Sequence, residues 1–213
     1  MVRSAYLCAI LQAMKPYNVF LTVSFVLVWV WAAIEPIYRD DWFLENCLVF
    51  VAIIGLFISL RWFRFSNASY GLITLFLILH VIGSHYTYAE VPFGYTLQEL
   101  LGESRNMYDR MVHFSYGLLL AYPTWEVFRH VSQTRGLWTY YIPVEMTLAA
   151  SALYEIMEWY AAATVNPAAG IAFLGAQGDI WDAQKDMWLA TVGAVIAMFV
   201  LAVVRRWRRR VIV

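Results

Sequence analysis

The sequence predicts an all-α polytopic membrane protein with six transmembrane helices and both termini on the cytoplasmic side. Three observations carry this reading. Of 213 residues, 62% are hydrophobic and only 14% are charged. Several apolar runs approach the roughly 20 residues that a helix needs to cross a bilayer. Basic residues gather in alternate connections, the mark of cytoplasmic loops. One integral domain over residues 1–213 uses the whole length, which excludes a separate soluble module. The formal net charge is zero, so the total gives no reason to expect a nucleic-acid partner. Cys8 and Cys47 fall on opposite sides of the membrane and make neither a disulfide framework nor a metal motif.

Taken in order, the chain opens with a short amphipathic lead carrying Arg3 and Lys15, expected to lie at the interface. Its first long apolar run has no small-residue cleavage site and reads as a retained anchor. That span, Tyr17 to Ile34, starts after Pro16 and stops at Glu35-Pro36. An acidic loop, Glu35 to Glu45, leads to a second span, Leu44 to Leu60, followed by Arg61 and Arg64. These two spans read as free of acids and histidines, as suits packing or lipid contact. The third span, Tyr70 to Tyr88, contains His80 and His85. A polar segment follows, with a turn at Val91-Pro92-Phe93-Gly94-Tyr95 and a short surface helix over Leu97 to Leu101. The remaining spans are Met107 to Trp125, Leu137 to Ala163 and Ile180 to Val204. The basic tail, Arg205 to Val213, reads as a positive-inside anchor touching anionic lipid.

Polar residues inside the spans are the candidates for chemistry, because intramembrane acids are costly unless paired or functional. Asp109 and His113 are spaced i, i+4 on one helix face. Glu155 and Glu158 are spaced i, i+3. Asp179, Asp182 and Asp186 share one face at the start of the last span, where the helix macrodipole favours the first two carboxylates. Asp186 lies a turn deeper and needs a partner. With the topology above, all of these meet in the external half of one bundle, with His85 near the same end. Six carboxylates this close cannot all stay ionised without cations. A divalent metal ion, a shared proton, or salt bridges with Arg110 and Lys185 would each resolve the conflict. In the metal reading Asp109, His113, Asp182, Asp186 and His85 are ligands, while Glu155, Glu158 and Asp179 carry protons. Gly117 and Gly193 are expected to permit close helix approach. His80, Tyr116 and Glu145 read as structural, His130 and Glu90 as solvated, Gln177 and Gln184 as loop hydrogen-bonders, and Trp159, Trp181 and Trp188 as an interfacial belt. No phosphate loop, nucleophile elbow or histidine-box run is present.

The blocks Asp109-Arg-Met-Val-His113-Phe-Ser-Tyr-Gly-Leu118, Tyr154-Glu-Ile-Met-Glu158 and Gly178-Asp-Ile-Trp-Asp-Ala-Gln-Lys-Asp-Met187 resemble the YjdF-like family of polytopic bacterial inner-membrane proteins. That resemblance implies the topology and brings no assigned reaction. A looser likeness runs to VanZ-like membrane proteins through Asp109, Arg110, His113, Phe114, Glu155, Asp182 and Gly193. Asp186 and Glu158 depart from that outline, where Asn and Gln are usual, and make this site more acidic. The expectation is a metal-dependent hydrolase or transferase acting on a lipid or lipid-linked substrate at the outer leaflet. A metal-ion or proton-coupled transporter and a scaffold with a buried polar network are the alternatives.

Overall fold

The structure, a computed structural model, describes residues 16–164 and 175–211. The lead with Arg3, Cys8 and Lys15 lies outside the described residues, as do the last two residues of the tail. Among the described residues there are seven helices and no strand: α1 (Pro16–Ala32), α2 (Arg39–Ser59), α3 (Asn67–His85), α4 (Pro92–Leu101), α5 (Tyr108–His130), α6 (Trp138–Thr164) and α7 (Asp182–Val211). Helices α2, α3 and α7 are long and apolar enough to cross a membrane, and α1 is a shorter apolar helix. Helices α5 and α6, at 23 and 27 residues, have the length. Their composition is diluted by groups they turn inward, such as Asp109, Arg110 and Glu126.

The molecule is polar inside and oily outside. Phe20, Leu27, Val51, Ile54, Ile156, Phe199 and Val200 are exposed, while Asp41, Glu45, Asn46, His80, Asn106, Asp109, Arg110 and Asp186 are buried. Water would penalise such a surface. Hydrocarbon favours it, because lipid tails accept apolar side chains and reject unpaired charge.

Helix α5 is central. It packs against α3, α4, α6 and α7, and α6 also lies on α7; α3 in turn carries α1 and α2. The tightest of these contacts is α5 on α7. A Cβ at Gly117 would run into the carbonyl of Ala190, and one at Gly193 into the carbonyl of Phe114. Two glycines facing each other's backbones are what lets these helices meet, since without hydrophobic drive membrane helices associate through close packing. That contact sets the depth at which residues of α5 and α7 face one another. At the far end Ser66 caps α3 by accepting from the Ser69 amide at 3.2 Å. Glu126 of α5 accepts from the Ser66 amide at 3.0 Å and the Ser69 hydroxyl at 2.6 Å, tying the two helices together.

Three of the boundaries that differ from expectation have a clear local reason. Helix α2 begins at Arg39, not Leu44, because Asp40 and Asp41 suit a first turn and the next turn buries Trp42, Glu45 and Asn46. The second span is therefore not free of acids. Helix α4 begins at Pro92, where a turn was expected: proline fits the first helical position, and the left-handed Gly102 (φ 68°) closes the helix. Helix α7 begins at Asp182, so Asp179 sits in the turn before it and does not share its face. The Asp179 carboxylate instead accepts from the Trp181 amide at 3.0 Å.

Candidate functional site

The polar groups at one end of the bundle form two layers. The outer layer is built where the chain enters α5 and α7. Arg105, just ahead of α5, donates to the Asp182 carboxylate and to the Gly175 carbonyl at 3.2 Å, and lies 3.5 Å from Asp109. Arg110, in the first turn of α5, reaches Asp182 Oδ1 at 2.6 Å, the Asp182 carbonyl at 2.9 Å and Asp179 Oδ2 at 3.1 Å. It also pairs with Asp186. Lys185 donates to Asp179 Oδ2 at 2.6 Å. Gln177 completes the fastening as expected, accepting from the Asn106 amide at 2.9 Å and donating to its carbonyl at 3.3 Å. The Lys185 ammonium, with the Trp181 amide, holds the Asp179 carboxyl down to about 2. Asp179 and Asp182 are thus fully engaged by cations.

The inner layer is different. His113, on the face of α5 shared with Asp109, puts Nε2 3.6 Å from Asp109 Oδ1 and 3.7 Å from Glu155 Oε1 of α6. Both separations are too long for hydrogen bonds. Two ligands each about 2.1 Å from a common ion lie roughly 3–3.5 Å apart, close to these spacings. Asp109, His113 and Asp186 offer ligand atoms within 4.8 Å of one another. Glu155 Oε1 and Asp186 Oδ1 are buried without a hydrogen-bond partner among the described residues. Arg105, Arg110 and Lys185 pair with Asp109, Asp179, Asp182 and Asp186, and among the described residues none of the three pairs with Glu155.

Of the residues singled out from sequence, Asp109, His113, Glu155 and Asp186 are brought together, and Asp182 and Asp179 lie just outside them on the arginines. Glu158 is near enough to Glu155 and Glu45 to feel their charge. His85 is not part of the site. Its Nδ1 meets the Ala32 carbonyl at 3.1 Å and its ring packs on Trp31 and Tyr86, which makes it a strut between α1 and α3. Trp159, Trp181 and Trp188 are exposed, as an interfacial belt requires. His130, the last residue of α5, is exposed as expected, and its ring also packs on Phe63 and Trp125.

Sequence reasoning passed over Arg105 and Glu45. The signal for Arg105 was present, since it precedes Asp109 by four residues. Glu45 was assigned to a loop edge; it is buried, accepts from the Tyr154 hydroxyl at 2.7 Å, and its carbonyl lies 3.0 Å from His80 Nε2. The other nitrogen of His80 is 2.5 Å from the Tyr88 hydroxyl. His80 is structural, but within a polar network that no helical spacing displays. Tyr154 links that network to the site, because its ring packs edge-on against His113.

Comparison with known proteins agrees with a membrane setting. The Inner membrane protein YjdF of Escherichia coli (strain K12) is 35% identical over 181 residues, covering 84% of this chain and 86% of that one. No solved structure matches. These comparisons give no support to the VanZ-like likeness. Residues 17–207 match the family described as "Predicted membrane protein (DUF2238)", and with most of its length so matched the chain belongs to that family of membrane proteins.

Proposed function

We propose that this chain is an inner-membrane enzyme with six spans and cytoplasmic termini, whose site lies near the external face. In this reading it hydrolyses or transfers a group at a phosphate or ester of a lipid or lipid-linked substrate, using a divalent metal ion. The observation that carries the reading is that two buried carboxylate oxygens near His113, Glu155 Oε1 and Asp186 Oδ1, lack hydrogen bonds among the described residues. Leaving such atoms unsatisfied in a low-dielectric interior costs about 1–3 kcal/mol each, and more for charged groups. A cation removes that cost.

Asp109, His113 and Asp186 would hold the ion, with Glu155 beside them. A bound divalent ion polarises a phosphoryl or carbonyl oxygen and lowers the pKa of a water toward neutrality. Glu155, within reach of His113 and not engaged by either arginine, is the group placed to take the proton. Arg105 and Arg110 hold Asp182, Asp109 and Asp186 in register and attract an anionic headgroup toward the site. The arginine pairs by themselves also suit a purely structural network. That reading leaves the inner oxygens unexplained. Transport ranks below both, because the buried acid at the other end, Glu126, is closed off by Ser66 and Ser69.

Elemental analysis of the purified, detergent-solubilised protein tests the proposal. Stoichiometric divalent metal is expected in the parent and should be lost in His113→Ala and Asp186→Asn. A parent that takes up no manganese, zinc, magnesium or calcium at millimolar supply removes it.

A further inference from the structure

The packing leaves one opening in the wall of the bundle. Helix α6 lies on α5 and α7 and makes no close backbone approach to α2 or α3 among the described residues, although α2, α3, α5 and α6 all line the same cavity. The gap is occupied by a cavity of about 260 Å³, lined by Leu48 of α2, Phe76 of α3, Val112 and His113 of α5 and Leu153 and Met157 of α6. Leu153 and Met157 are exposed, and so is their neighbour Ile156, so the outer rim belongs to the lipid-facing surface. Across the gap the Tyr154 hydroxyl of α6 donates to Glu45 of α2 at 2.7 Å.

We infer that this gap is a lateral portal and that its occupant is one hydrocarbon chain of a membrane lipid, seated with its head end toward His113. The medium outside the rim decides the occupant. Most of the wall is apolar carbon, with polar groups limited to His80, His113, Ser151 and the hydroxyls of Tyr88, Tyr116 and Tyr154, and hydrocarbon suits the apolar part better than water does. Where the rim meets hydrocarbon, a chain exchanges one apolar setting for another and fills the space. The lining supplies apolar contact along the chain, and His113 stands where the chain would join its head. Such sites, largely apolar with a few convergent polar groups, are the usual form of a small-molecule pocket. The Tyr154–Glu45 hydrogen bond fixes α6 opposite α2 and so holds the width of the opening. The substrate class follows: an amphiphile that enters sideways from the bilayer, not a soluble metabolite. This rests on the proposed enzymatic reading only for calling the occupant a substrate; the chain site stands on the cavity.

The test uses purified protein in vesicles of phosphatidylethanolamine and phosphatidylglycerol doped with a phospholipid carrying a photoactivatable diazirine near the end of one chain. Peptide mapping after illumination is expected to show labelling at Leu48, Phe76, Leu153 and Met157 above that at Phe57 and Phe199, which face lipid elsewhere. Filling the gap with Ala150→Trp or, independently, Leu48→Trp should reduce cavity labelling to the level of those outer positions. Asp186→Asn should lose metal and keep the label, so a protein that labels in the cavity but binds no metal overturns the enzymatic reading alone. Labelling no higher in the cavity than at Phe57 and Phe199, in a parent whichever way the variants fold, overturns the portal.

Discussion

The two ends of this bundle each bury acid, and they handle it in opposite ways. At the far end Glu126 accepts from a backbone amide and a hydroxyl, both at hydrogen-bond distance, and joins α3 to α5. At the other end Arg105, Arg110 and Lys185 engage the outer aspartates, yet Glu155 and Asp186 each retain a bare buried oxygen. A buried carboxylate is therefore not by itself a sign of chemistry. The informative feature is a buried carboxylate whose valences the fold does not fill, because only that one has a reason to bind something else.

The largest effect should come from removing the cation that holds the two layers together. Arg110→Met leaves Asp186 and Asp182 short of their partner, and breaking a buried pair costs about 3–5 kcal/mol. Thermal unfolding in detergent should show this as a large loss of Tm; an unchanged Tm would break the division into a paired layer and an open one. Gly193→Leu comes next, because its Cβ meets the Phe114 carbonyl, a backbone atom that no rotamer change can move. Overpacking of this kind costs about 1–3 kcal/mol, and the variant should also lose metal as α5 and α7 shift apart.

The sharpest use of the comparison is to neutralise one acid at each end. Glu126→Ala strands the Ser66 amide and the Ser69 hydroxyl and should cost about 2 kcal/mol while leaving metal content unchanged. Glu155→Gln should do the reverse. It gives up no hydrogen bond at Oε1, so stability in metal-free buffer should hold within about 1 kcal/mol while metal affinity falls. If the two variants behave alike in both assays, the ends are not different in kind. The smallest effect is a pH response of the outer layer. The folded Asp179 carboxyl titrates near 2, below the ordinary 3.8, so its contribution to stability is present above 3.8 and is lost as pH falls from there through about 2. In Lys185→Met that acid-limb loss should shrink, as measured by Tm against pH.

Much of the site was legible before any coordinates. The offset of four between Asp109 and His113 places them on one face of any helix, and the alternation of basic connections brings the starts of α5 and α7 and the end of α6 to the same end. His85 misled because it is near that end in depth; depth along an axis says nothing about rotation around it. Glu45 and Asp41 were hidden for a related reason, since an acidic stretch ahead of an apolar run reads equally well as a loop or as the first turns of the helix.

By itself the sequence determined the helices, their membrane setting and the acids and imidazole gathered at one end, since length, hydropathy and periodicity are local properties. The tertiary structure alone decided which carboxylates the arginines fill, which oxygens stay bare and where the wall opens. Those depend on helix rotation and on the distance between backbones, and both are set by contacts such as Gly117 against Ala190 that join residues remote in the chain.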